Sequence, residues 1–154
     1  MDKGVAFFNP FITSIQKVST QTENLEVGLN LPSKEGLNIR AEISILYSLN
    51  GSQAAEVLRQ LGVNYERSVI LPVFRSAVAD VSARYYAKDM HTGQRSIIEE
   101  AIEQQMSKNL EGRGIIVETV LVKAIQLPTN LARASEEKME TEHKTLRMLF
   151  VLQL

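Results

Sequence analysis

From residue 25 to residue 49 the apolar positions of the chain recur at every second residue. Leu25, Val27, Leu29 and Leu31 alternate with Glu26, Gly28 and Asn30, and a period of two sends the two sets to opposite faces of a half-buried strand. A longer run follows: Leu37, Ile39, Ala41, Ile43, Ile45, Tyr47 and Leu49 on one face, Asn38, Arg40, Glu42, Ser44 and Ser48 on the other. Between them, Ser33-Lys34-Glu35-Gly36 supplies a polar turn with a glycine free to take positive φ. Residues 24–31 and 37–49 are therefore predicted to pair as an antiparallel hairpin. Upstream, residues 5–31 mix strand formers with turn residues, and Phe11 to Val18 reads as a short strand after the Asn9-Pro10 turn.

At Asn50-Gly51-Ser52 the period changes to that of a helix. Ser52 is the expected N-cap of a helix that runs through Leu61 and is closed by Gly62. Asn64 can cap a second helix, with Ile70, Val73, Phe74, Ala77, Val81 and Tyr85 on one face and a kink or break expected near Pro72. A third helix is predicted from about Gly93 to Leu110, with Ile97, Ile98, Ala101, Ile102 and Met106 as its apolar stripe and Gly112-Arg113-Gly114 reversing the chain. From Ile115 to Leu127 the pattern is strand-like again, Ile116, Glu118, Val120, Val122 and Ala124 alternating with Val117, Thr119, Leu121, Lys123 and Ile125. Pro128 then suits the first residue of a charged terminal helix that reaches at least Phe150.

Strands and helices are segregated, so the expected class is α+β: an antiparallel sheet packed on one side by helices, rejoined by the strand at 115–127, and followed by a long C-terminal helix that begins a coiled coil. Residues 1–127 form the expected domain and 128–154 the start of that helix. Both ends look abrupt, one opening close to strand-like sequence and the other stopping inside an amphipathic pattern, as in a piece of a longer protein.

Composition narrows the function. The chain has 154 residues, of which 44% are hydrophobic and 23% charged, the balance of one folded domain. Seventeen Lys and Arg against 18 Asp and Glu leave a net charge of -1, no field for holding a phosphate backbone, so nucleic acid is not an expected partner. Without cysteine, disulfides, thiolate metal sites and cysteine nucleophiles are excluded. The longest apolar run, Met148 to Leu152, falls far short of the ~20 residues that span a bilayer, and the chain as written is expected to be soluble.

Neither a dinucleotide nor a P-loop fingerprint occurs. Gly112-Arg113-Gly114 follows a helix and precedes a strand, the wrong order for a phosphate cradle. His91, between two predicted helices near Asp89, and His143, on the terminal helix, lack metal-ligand spacing. Glu99-Glu100 and Glu136-Glu137 are adjacent on helices and point about 100° apart, which suits a solvated face better than a paired-acid site. Asn50-Gly51-Ser52 matches a glycosylation acceptor but reads as a turn and cap. No catalytic, cofactor or metal constellation is expected, and the chain is read as non-enzymatic.

Two features rise above this background. Val5, Phe7, Phe8, Pro10, Phe11 and Ile12 concentrate three of the five phenylalanines in one short segment; they either fill the core under the sheet or form an apolar edge that enters lipid headgroups. In the terminal helix, Met139, Leu146 and Leu149 fall at heptad seam spacing, while Glu142 and Gln153 occupy the other seam positions.

These residues, taken in order, resemble the stomatin/prohibitin/flotillin group, the SPFH or band 7 domain. Gly4-Val5-Ala6-Phe7-Phe8-Asn9-Pro10-Phe11 looks like the family's entry strand, and Ser33-Lys34-Glu35-Gly36-Leu37-Asn38-Ile39 is similar to its hairpin turn. Leu71-Pro72-Val73-Phe74-Arg75-Ser76-Ala77-Val78 resembles the helix in which a proline precedes an arginine. Gly114-Ile115-Ile116-Val117-Glu118, leading to Ile125-Gln126-Leu127-Pro128, looks like the final strand and the Leu-Pro that opens the coiled coil. The flavour is closest to bacterial prohibitin-like proteins.

The resemblance implies a membrane-associated scaffold that oligomerises and organises membrane microdomains or regulates membrane-bound proteases, with no catalysis and no cofactor. It implies a full-length parent that is a membrane-tethered homo-oligomer, with membrane lipid and a membrane-anchored AAA-type protease or channel as partners. Phe7, Phe8, Pro10 and Phe11 are the expected membrane-proximal residues, and Met139, Leu146, Leu149 and Phe150 the expected oligomerisation residues. The competing expectation is a partner-binding regulatory module that acts without self-assembly.

Overall fold

A computed structural model describes residues 18–128 and 147–148. The predicted hairpin is present. Strand β1 (Glu23–Pro32) pairs antiparallel with β2 (Asn38–Leu49) in unbroken register from Glu23 opposite Tyr47 to Pro32 opposite Asn38. The turn closes through Ser33, whose amide donates to the Leu37 carbonyl at 2.8 Å and whose hydroxyl accepts from the Leu37 amide at 3.0 Å. Gly36 takes φ +85° there, a conformation costly for any residue with a Cβ. On β2 the alternation translates directly into burial: Ile39, Ala41, Ile43, Ile45, Tyr47 and Leu49 are all buried, whereas Asn38, Arg40 and Glu42 are exposed.

Strand β3 (Ile115–Gln126) pairs antiparallel with the other edge of β2, giving a three-stranded sheet of order β1-β2-β3. Here the strict alternation expected from sequence is corrected. The register slips between Leu46 and Tyr47 and again between Glu42 and Ile43, so Glu118 and then Lys123 are extra residues on the β3 side. Each bulge reverses the facing of the side chains that follow. Ile115, Val117, Val120 and Val122 consequently share the buried face, and Ile116 and Leu121 are left on the other.

The helices cover the apolar face, α2 (Leu71–Ser82) lying against β1 and α4 (Arg95–Asn109) against β3, with α2 and α4 in mutual contact. Phe74, Ala77, Val78 and Val81 of α2 meet Ile98, Ile102 and Met106 of α4 over the β2 row in one core. A fully buried side chain of this kind contributes about 1.5–3 kcal/mol. Ile97, expected in the α4 stripe, is 53% exposed, because the stripe that meets the core runs through 98, 102 and 106 at a spacing of four.

Several local expectations change. Helix α1 (Ala54–Leu61) ends at Gly62 as expected, with φ +82°, but Ser52 is not its cap. Both the amide and the hydroxyl of Ser52 donate to Asn50 Oδ1, at 3.2 and 2.8 Å, and Gln53 takes the N-cap position. Asn64 serves the next helix through its backbone carbonyl, which accepts from the amides of Arg67 and Ser68 at 3.0 Å. The break anticipated near Pro72 is a π-helical turn, Glu66–Ile70, that runs into α2. The Leu71 amide reaches back to the Glu66 carbonyl, widening the coil just before a residue that has no amide hydrogen and whose ring crowds the preceding turn. The second predicted helix ends at Ser82, and a separate short helix α3 (Ala87–Thr92) follows, with His91 exposed in its last turn instead of between helices. The strand expected at 11–18 lies outside the described residues apart from Val18, which is half-buried and not in a strand. Of the expected C-terminal helix only Pro128, Arg147 and Met148 are described: Pro128, expected as its first residue, is half-buried and not helical, and Arg147 and Met148 are helical and exposed.

Gly114 joins α4 to β3 where the chain passes α1. Its φ is +78°, its carbonyl accepts from the Asn50 amide at 2.9 Å, and a Cβ built on it would stand 2.7 Å from Val57 Cγ2. Gly114→Ala is therefore expected to lower unfolding stability by about 2 kcal/mol, whereas Gly51→Ala, where nothing lies within 4 Å, changes it little; urea denaturation of the two variants measures the difference.

Candidate functional site

The polar chemistry of the described domain is concentrated at three junctions and on the outer face of the sheet. At one end of the sheet, the Tyr47 hydroxyl of β2 donates to a carboxylate oxygen of Glu66, the first residue of the π-helical turn. Burial and this carboxylate both push the Tyr47 phenol far above its ordinary value, and burial raises the neighbouring Tyr65 as well. Glu23, Tyr47, Val63, Asn64, Tyr65, Glu66 and Arg67 line an open cleft of about 300 Å³, at the floor of the range for small-molecule sites. A neutral, hydrogen-bonded phenol is a strut between sheet and helix, not a proton donor poised for chemistry near neutral pH.

At the opposite end, the β1–β2 turn docks on the link between α2 and α3. The Lys34 amide donates to the Tyr85 carbonyl at 2.8 Å, and the Glu35 carboxylate accepts from the Ala87 amide at 2.7 Å, at the first turn of α3. The Lys34 ammonium stands 5.1 Å from the centre of the Tyr86 ring, a cation–π distance. The Ser33 hydroxyl and the Ala87 amide hold the Glu35 carboxyl below the usual carboxylate range.

The third junction closes the free edge of β3. Glu99 of α4 accepts from the Val122 amide at 2.7 Å. Glu99 and Glu100 were expected to share a solvated face; Glu100 is exposed, but Glu99 is half-buried and committed to the sheet. A carboxylate on an edge amide satisfies a donor that would otherwise be open to another strand. Adjacent helical residues diverge in direction, and that divergence assigns the two acids different roles.

The outer face, away from the helices, carries Glu26, Gly28, Glu42 and Lys123 around a shallow depression, with an ion pair between Lys123 and Glu26 across β2. Both partners are about half exposed, so the pair contributes little. Toward the other end of this face, the Thr22 hydroxyl bonds the Glu118 carboxylate at 2.9 and 3.0 Å. Ser44 donates to Asn24 Oδ1, and Ile116 and Leu121 stand 47% and 43% exposed.

Against the residues singled out from sequence, the described domain is silent: Phe7, Phe8, Pro10 and Phe11, and Met139, Leu146, Leu149 and Phe150, all lie outside the described residues, as do His143 and Glu136-Glu137. Gly112 and Gly114 serve chain reversal, both at positive φ. Of the four motifs behind the family resemblance, three lie among the described residues: the Ser33 turn at the sheet–helix junction, Leu71 to Val78 as the opening of α2, and Gly114 to Glu118 as the entry to β3. Among the described residues, no group of three His, Asp or Glu side chains is arranged to hold a metal ion. Sequence reasoning missed Tyr47, Glu99 and Glu35; the one available signal was a hydroxyl-bearing side chain at a core position of β2.

Comparison with known proteins agrees with the motif order. The family model described as SPFH domain / Band 7 family matches residues 1–151. The chain is 20% identical over 151 residues to Prohibitin-1 of Saccharomyces cerevisiae, covering 98% of this chain and 52% of the relative. It is likewise 20% identical over 151 residues to Prohibitin 1 of Bos taurus, covering 98% and 55%. The chain thus spans about half the length of the curated relatives it matches.

The Tyr47 strut makes stability fall in alkali. Its folded pKa lies above the unfolded value of about 10, so the contribution is fully present below pH 10 and is lost as pH rises beyond it. Tyr47→Phe is expected to lower stability by about 1–2 kcal/mol near neutral pH and to flatten the loss above pH 10, as read from urea midpoints across pH. Glu99→Ala is expected to accelerate hydrogen exchange at the Val122 amide by about tenfold, measured by NMR with the β2 amides as the internal reference.

Proposed function

The chain belongs to the SPFH domain / Band 7 family, and on that premise we propose that it is a non-enzymatic scaffold domain of a membrane-associated protein that assembles with copies of itself. The observation that carries this reading is the extent of the family match, which runs from residue 1 to residue 151 and so takes in both the phenylalanine-rich segment and the terminal heptad pattern. The junction chemistry supports it: Glu35, Glu66 and Glu99 each hold one part of the domain to another. Groups engaged in this way favour a stiff building block.

In this reading residues 1–127 form the SPFH unit and 128–154 begin the assembly helix. Phe7, Phe8, Pro10 and Phe11 lie at the membrane-proximal end, where apolar side chains can enter the headgroup region. Met139, Leu146, Leu149 and Phe150 supply the apolar seam between copies. The full-length protein organises membrane lipid into microdomains and restrains a membrane-anchored AAA-type protease or a channel.

Sedimentation velocity over a concentration series tests the assembly. The 154-residue chain is expected to self-associate reversibly, and Leu146→Glu with Leu149→Glu to weaken association by about tenfold or more, since charges would enter the seam. A chain that stays monomeric throughout would overturn self-assembly and leave the partner-binding module. Flotation with anionic vesicles tests the membrane contact: Phe7→Glu with Phe11→Glu should abolish flotation without moving the melting temperature, and unchanged flotation would contradict it.

A further inference from the structure

The two edges of the sheet are finished differently. Along β3 the ladder is broken by two bulges, and Glu99 covers the Val122 amide. Both devices keep an edge from pairing with another strand. β1 has neither. Its register against β2 is unbroken over all 10 residues, it carries no Lys or Arg, and its one proline, Pro32, is the last residue. Among the described residues, no strand pairs with its outer edge.

The hairpin register fixes which backbone groups that edge offers. Ser33 donates its amide to the Leu37 carbonyl, and this pair continues the series in which Pro32 stands opposite Asn38. Hydrogen-bonded pairs alternate along an antiparallel ladder, so Leu25, Val27, Leu29 and Leu31 turn their amides and carbonyls toward β2. Asn24, Glu26, Gly28 and Asn30 turn theirs outward, and Pro32, which has no amide hydrogen, falls in the same outward set. Gly28 sits in the middle of it. Its φ is not positive, and a Cβ built on it would meet nothing within 4 Å, so the domain by itself gives no reason for a glycine there. Glycine weakens a strand interior and marks places where another backbone comes close.

We propose that β1 is a self-pairing edge. A second copy of this chain adds its own β1 antiparallel, Gly28 facing Gly28 across a two-fold axis, and two three-stranded sheets become one. A two-fold register that keeps both apolar faces on one side is centred on a residue. Centred on Gly28, Leu25 stands opposite Leu31 of the second copy and Val27 opposite Leu29. The apolar row that one copy leaves half-buried at Leu25, Val27 and Leu29 is thereby continued into the next. On the other face, Glu26 stands opposite Asn30, an amide donor for its carboxylate. Centring on Val27 sets Glu23 against Leu31, and centring on Glu26 sets two carboxylates against each other, which is destabilising. Centring on Leu29 shortens the overlap. This fit of β1 to its own copy is what selects a second copy as the occupant. The contact is separate from the terminal seam proposed above, and its test is run with that seam disabled by Leu146→Glu and Leu149→Glu.

The chain has no cysteine, so single cysteines report the register. In the seam-disabled chain, Gly28→Cys is expected to form a disulfide-linked dimer on mild oxidation. Glu26→Cys alone and Asn30→Cys alone are expected to stay unlinked, because each lies about 13 Å from its own copy along the pair, too far for a disulfide. An equimolar mixture of the two should cross-link. Asn30→Pro removes an outward amide and leaves the β1–β2 ladder intact. It should weaken dimerisation by about tenfold or more in sedimentation velocity, with the β2 amide shifts unchanged. The proposal is overturned if Gly28→Cys stays monomeric under oxidation, if Glu26→Cys links to itself as readily as the mixture does, or if Asn30→Pro dimerises like its parent. It is equally overturned if the Gly28 and Asn30 amides are protected from hydrogen exchange in the dilute monomer, the mark of an edge covered within one chain.

Discussion

Everything in the described domain leans on the central strand. β2 is paired along both edges and buries a side chain at every second position from Ile39 to Leu49, so it can neither slip by one residue nor leave without exposing the whole core. The helices assemble around that row: α2 and α4 meet over it, and the core they close is continuous from Phe74 and Met106 to Ile45. Even the polar face of β2 is held, by Ser44 to Asn24 on one side and by its pairing with β3 on the other.

Around that frame, carboxylates act as fasteners. Glu35 ties the hairpin turn to the start of α3, Glu66 ties the π-helical turn to Tyr47, and Glu99 ties α4 to the edge of β3. Each accepts a hydrogen bond across elements distant in sequence, and charge-assisted bonds of this kind are stronger than neutral ones. The arrangement spends acidic side chains on rigidity, which suits a domain whose work is to present surfaces and hold spacing. It also differentiates the two sheet edges, since β3 has an amide covered by Glu99 while β1 carries the half-exposed Leu25, Val27 and Leu29.

The hairpin and the α+β class were legible in the sequence because they rest on period-two burial, which is written in consecutive residues. Pro72 likewise announced a disturbance, although only the structure shows it as a π-helical turn. The β3 bulges were not legible: a bulge depends on the register of a partner strand, and alternation read along β3 alone put Val117 and Val120 on opposite faces. The break between α2 and α3 was hidden because the groups that hold it, the Lys34 amide on the Tyr85 carbonyl and the Glu35 carboxylate on the Ala87 amide, come from a turn far away in sequence, and no glycine or proline marks it. For the same reason Glu99 looked like solvent-facing charge. The phenylalanine segment and the terminal seam were legible as patterns, and their roles belong to the proposed function.

The central claim is that this domain is a unit of a membrane scaffold. Electron cryo-microscopy of the full-length protein that carries it, reconstituted on liposomes, tests that claim most directly. The account predicts closed or lattice-like assemblies in which copies of this α+β domain repeat at fixed spacing along the bilayer. Single, unassociated copies at every protein-to-lipid ratio would contradict it.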